Sequence, residues 1–154
     1  MRDRYKPVAL VAGLLVLMGI AMHVIMQVGF KKNTNDQENV VIVVLIAMAI
    51  VMIIVSYVWS IRHPIAHVVP ELLLVVAIGC VGTVVIAPLF VLVSPFHDGA
   101  GDFFEQIWIY LGVGLGASLL GWLIALAVGQ DYRAKQLKRF AATVNSKPHR
   151  PVRR

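Results

Sequence analysis

The stretch that decides the fold is Val40–Val55, VVIVVLIAMAIVMIIV, in which no position is polar. A strand of a membrane barrel alternates apolar with polar side chains over about 10 residues, so an unbroken apolar run reads as a helix. Extended to Trp59, the run reaches the roughly 20 residues that cross about 30 Å of hydrocarbon. Three more such runs stand between the charged clusters, so the expected spans are residues 8–28, 40–59, 71–93 and 107–128. Inside them the only ionisable side chains are His23 and, at the edge of the third, Glu71, which follows Pro70 where a helix N-terminus is expected. The predicted fold is an all-α integral membrane protein, four transmembrane helices in an antiparallel bundle with short loops over residues 1–130, followed by a basic tail over 131–154.

Composition agrees with this reading. Of 154 residues, 59% are hydrophobic and 14% charged, and the mean hydropathy is +0.81; a soluble domain carries about 25% charged residues. Eight acids and fourteen bases cannot clothe a water-soluble surface of this size. The single Cys80 excludes a disulfide framework, and the apolar fraction excludes an intrinsically disordered chain.

Basic residues are retained on the cytoplasmic side of a membrane. Arg2, Arg4 and Lys6 precede the first span, Arg62 lies between the second and third, and Arg133, Lys135, Lys138, Arg139, Lys147, Arg150, Arg153 and Arg154 follow the fourth. The other two connections hold Lys31 and Lys32 balanced by Asp36 and Glu38, and the acids Asp98, Asp102 and Glu105. Twelve of fourteen bases thus fall on the side holding both termini, which predicts a multi-pass protein of the bacterial inner membrane with both ends cytoplasmic. Aromatic side chains prefer the headgroup level: Tyr5, Tyr57, Trp59 and Tyr132 are expected at the inner boundary and Phe30, Phe90, Phe96, Phe103, Phe104, Trp108 and Tyr110 at the outer, with Trp122 deeper. The first run is long and no small-x-small site follows it, so it is expected to stay as an anchor.

Helices in lipid associate through small residues that let backbones approach. Ala117, Gly121, Ala125 and Gly129 recur every four residues, with Gly112 and Gly116 before them, and are predicted as a helix-packing stripe. It would either dock a partner or pack on this protein's own first and third helices, where Ala9, Gly13, Gly79 and Gly82 offer small surfaces. Pro88 takes away the donor for the Val84 carbonyl and should kink the third span.

The candidate chemistry is sparse. His23, with Gln27 one turn on, and Glu71 form a candidate polar pathway; a purely structural His23 would instead hydrogen-bond across helices. Met18, Met22 and Met26 flank His23, and Met48 and Met52 lie in the second span; thioethers and an imidazole are Cu(I)-type donors. Methionine also fills irregular apolar gaps, so the expectation is no metal. A b-type haem would need a second histidine at the depth of His23, and His63, His67, His97 and His149 all lie elsewhere, so no cofactor is expected. Asp102 and Glu105 read as a capping box at the start of the fourth helix rather than as cation ligands. Glu71 and His67, separated by Pro70, need not share a face, and Cys80 reads as a packing residue.

In the tail, Leu137, Phe140, Ala141 and Val144 fall at helical spacing, leaving Arg133, Lys135, Lys138 and Arg139 to meet lipid headgroups from an interfacial helix; the end beyond Asn145 should be disordered. Without interleaved aromatics beyond Phe140 it offers no platform for nucleic acid. The chain has no phosphate loop, CxxC, HExxH or nucleophile elbow. The expected function is a non-enzymatic accessory or assembly subunit of a larger membrane complex (respiratory, envelope, secretion or conjugation machinery), in contact with lipids and with a membrane-protein partner or further copies of itself. The alternative is a small oligomeric transporter or exporter working through His23, Glu71 and the Pro88 kink.

Overall fold

The structure, a computed structural model, describes residues 6–29, 34–92, 94, 96 and 99–145. Outside them lie Arg2, Arg4, Tyr5, Phe30, Lys31, Lys32, His97, Asp98 and the tail beyond Asn145 with His149. The described residues are helical with no strand: α1 (Lys6–Gly29), α2 (Thr34–Arg62), α3 (Ile65–Val81), a π-helical segment (Gly82–Ile86), α4 (Ala87–Phe90), α5 (Ala100–Ala127) and α6 (Tyr132–Asn145). Four helices are long and apolar enough to cross a membrane.

Two helix starts differ from the sequence reading. The third helix begins at Ile65, not at Glu71, behind Pro64 in extended conformation (φ −64°, ψ 146°). Pro70 therefore stands inside α3, where it removes only the bond to Ala66 near the exposed end. His67 and Glu71 are consequently one turn apart on a single helix, which brings them to the same side. The fourth helix begins at Ala100, capped by Gly99 at φ +109° without a side-chain bond. Asp102 is thus within the first turn rather than at the cap, so the capping box does not form; its carboxylate complements the helix dipole instead.

Two pairings dominate the packing: α5 lies along α2, and α1 lies along α3 and the π segment. Leu15 adjoins Gly79 and Gly19 adjoins Thr83, so residue numbers rise together along α1 and α3 and the two helices run in the same direction. Half of the apolar stretch of the third helix is buried, against 17% of that of the second, which makes α3 the central element. The inward face of α1 is Val8, Ala12, Leu15 and Gly19, at intervals of four, three and four residues, the signature of one helical stripe. Ala9 and Gly13, read as internal partners from the sequence, face outward; Gly19 takes their place.

The α2–α5 contact is made by small and hydroxyl side chains. Ala117, Ser118, Gly121 and Ala125 are buried on α5, with Gly121 set against Ile53 and Ser56 of α2, whereas Gly114, also buried, packs on Val76 of α3. Ser56 Oγ donates to the Ser118 carbonyl at 2.6 Å, Ser118 Oγ to the Gly114 carbonyl at 2.7 Å and Ser60 Oγ to the Ser56 carbonyl at 2.7 Å, so all three buried serines are satisfied. Gly121 lies directly against the backbone carbonyl of Ile53.

The predicted small-residue stripe therefore divides. Ala117, Gly121 and Ala125 pack within the protein, chiefly on the second helix rather than on the first and third. Gly112 and Gly116 are exposed with nothing within 4 Å of where a Cβ would stand. Gly129 ends the helix: at φ +63° it lets its own N–H reach the Leu126 carbonyl (2.9 Å) and that of Gln130 the Ala125 carbonyl (3.2 Å), the double bond of a Schellman C-cap. From there α6 turns away, held by Tyr57 Oη donating to Gln130 Oε1 at 3.1 Å.

The aromatic residues also separate. Phe90, Phe96, Phe104 and Trp108 are exposed, whereas Trp59 and Tyr110, which the sequence reading put with the boundary aromatics, are core residues. Phe96 and Phe103 stack with ring centroids 4.5 Å apart beside the start of α5.

Candidate functional site

Between α1, α2, α5 and the π segment is a cavity of about 150 Å³. Its wall is mostly aliphatic, with thioethers from Met18, Met22 and Met26 on α1 and Met48 on α2, and polar groups from His23, Thr83, Gln106 and Tyr110. Of the five methionines after the initiator, only Met52 is absent from this wall, and it is completely buried.

His23 is half-buried, and its Nδ1 lies 3.0 Å from the carbonyl oxygen of Gly19, one turn earlier on the same helix. A carbonyl only accepts, so Nδ1 donates the hydrogen and the neutral ring keeps its lone pair at Nε2. The bond runs within α1, not across helices as the sequence reading had it.

Thr83 sits where the third span leaves the α-helical pattern. Ala87 N–H bonds the Gly82 carbonyl, five residues back. Pro88 has no N–H, so with the Ala87 N–H given to Gly82 the Thr83 carbonyl receives neither the i+4 nor the i+5 bond. The Thr83 and Tyr110 hydroxyls are also buried without hydrogen-bond partners. Thr83 packs over Gly19, where a Cβ would stand 2.6 Å from its Oγ1, and the Tyr110 hydroxyl packs over Gly79.

The remaining candidates are dispersed. Gln27 does not line the cavity. In the α1–α3 register His23 stands level with residue 87, about 16 residues or roughly 24 Å along the axis from Glu71, so the structure does not bring the two together. Among the described residues no three His, Cys, Asp or Glu side chains converge on a metal position. Cys80 is buried in the core. Arg133, Lys135, Lys138 and Arg139 lie on α6, whose Leu137 and Phe140 are each 69% exposed, leaving its apolar side uncovered by the rest of the protein. Serines 56, 60 and 118 and Gly19 escaped the sequence reading; a hydroxyl every fourth residue, as at Ser56 and Ser60, was the available signal.

Comparison of the chain with protein-family profiles, with curated proteins and with solved structures finds no match.

Proposed function

We propose that this chain is a multi-pass membrane protein of the bacterial inner membrane, an antiparallel four-span bundle with both termini cytoplasmic, that serves as a non-enzymatic accessory or assembly subunit of a larger complex. The carrying observation is the outer side of α5. Gly112 and Gly116 stand one turn apart and exposed among Leu115, Leu119 and Leu120, with open space before them. On a lipid-facing helix such bare backbone lets another helix approach closely, and lipid gives apolar side chains no other reason to associate.

The test is purification in mild detergent with identification of co-purifying chains. A stoichiometric membrane-protein partner, lost in Gly116→Leu while the thermal stability of the protein is unchanged, is the expected result. Homo-oligomers alone would favour the second reading, a small transporter, for which the His23 cavity speaks, with Glu71 toward the opposite end of the bundle. Absence of any association would remove the subunit reading.

Two further outcomes are expected. A phosphatase active only outside the cytoplasm, fused after Arg154, should be inactive, and a cysteine at Gly101 should label from outside; the reverse pair of results would invert the topology. Deleting residues 131–154 should lower the steady-state amount several-fold on immunoblots, because α6 offers Leu137 and Phe140 to the interface and each base near an anionic surface contributes about 1 kcal/mol. Undiminished levels would show that the tail does not anchor the chain.

A further inference from the structure

We propose that the cavity at His23 is a binding site for a soft monovalent metal ion of the Cu(I) class, held by the imidazole Nε2 and methionine thioethers. Sequence spacing alone places three methionines near His23 on one helix; the fold adds Met48 from another, so that two helices bring sulfur to one cavity. A methionine that serves as filler closes the space around it, as the fully buried Met52 does. Met48 is also a core residue and Met18 packs against the core, yet both, with Met22 and Met26, border a volume of about 150 Å³ that their side chains leave unfilled.

The histidine is set up for the same role. Metal-bound imidazoles commonly donate their second N–H to a backbone carbonyl, which fixes tautomer and ring orientation, and the Nδ1 contact to Gly19 does this while leaving Nε2 as the donor atom. The donor set also selects the ion. Neutral thioether and imidazole suit Cu(I), whereas Mg²⁺ and Ca²⁺ require carboxylate oxygens, and no carboxylate lines the cavity. A monovalent ion suits a site whose described wall carries no anion to offset a second charge.

The experiment uses the full-length protein in detergent under anaerobic, reducing conditions. Cu(I) is titrated in competition with a chromophoric chelator, and Ag(I) serves as a redox-inert probe in thermal unfolding. The expected result is one Cu(I) per chain, a raised unfolding temperature with Ag(I), and no comparable effect of Zn(II). His23→Gln and Met48→Leu should each weaken Cu(I) binding at least 10-fold. Met52→Leu, which changes a thioether outside the cavity, should bind as the unaltered protein does. The methionine replacements nearly conserve volume, so unliganded unfolding temperatures should stay close and separate loss of ligand from loss of fold. Absence of Cu(I) binding would overturn the proposal, and so would binding that survives both His23→Gln and Met48→Leu. Equal loss in Met52→Leu would overturn it too, because the donors would then not be those of this cavity. Failure of the subunit reading would leave these outcomes unaltered.

Discussion

Gly121→Leu is expected to destabilise the protein by at least about 3 kcal/mol, measured as a fall in the denaturing-detergent midpoint of the purified protein. A Cβ at this position meets the Ile53 backbone carbonyl, and the next atom, Ser56 Cβ, lies only 3.0 Å away. A side chain can rotate aside; the backbone of a neighbouring helix cannot. The helices must part, and with them goes the Ser56–Ser118 hydrogen bond across the same contact. Overpacking typically costs about 1–3 kcal/mol where neighbours can yield, so a rigid obstacle places this site at or above the upper end. Gly121→Ala should fall between, at about 1–2 kcal/mol. Leu119→Ala, at a position 53% exposed, should change stability by less than about 0.5 kcal/mol. Equal stability of Gly121→Leu and the unaltered protein would refute the α2–α5 contact described above.

The second large effect is a coupled pair at the central helix. Gly79→Ala drives a methyl group into the Tyr110 hydroxyl, with Leu15 Cδ1 at 3.1 Å on the other side, and should cost about 1–3 kcal/mol. Tyr110→Phe removes a buried hydroxyl that lies beside the Thr83 hydroxyl without forming a well-aligned hydrogen bond, so on its own it should stay within about 1 kcal/mol of neutral. Combined, the two should not add. The phenylalanine ring leaves its nearest carbon 3.3 Å from the new methyl, a tight contact but a tolerable one, and should recover at least half of the loss. A double variant as unstable as the sum of the singles would mean that the Tyr110 hydroxyl is not the obstacle.

The four long helices were legible because apolar runs such as Val40–Val55 leave a bilayer-length chain no other economical form. Their starts were less so. Pro70 reads as a helix beginning, yet tertiary packing of Val68 and Leu72 carries α3 across it. Likewise the spacing of Ala117, Gly121, Ala125 and Gly129 is uniform, but the residues do different work, because Gly129 ends the helix while the others face α2. Gly112 and Gly116 belong to the outer side, since they form a separate four-residue row one residue out of register with Ala117 and Gly121, about 100° round the helix. At the candidate site, His23 and its three neighbouring methionines could be seen in the sequence. The contributions of Met48 and Thr83 depend on helix register, which no local pattern encodes.

The most extensive contact in the protein, between α2 and α5, joins the second long helix to the last. During synthesis the first three long helices emerge before α5, so Ser56 is made with its cross-helix acceptor not yet in place. A hydroxyl can bridge that interval by bonding to its own preceding turn, as Ser60 does to Ser56 in the finished fold. Arrival of the last long helix is then the step at which a provisional arrangement of three helices becomes a committed one. A ribosome-bound chain halted before residue 100 should accordingly remain open to quality-control proteases, and one halted after α5 has cleared the ribosome should resist them.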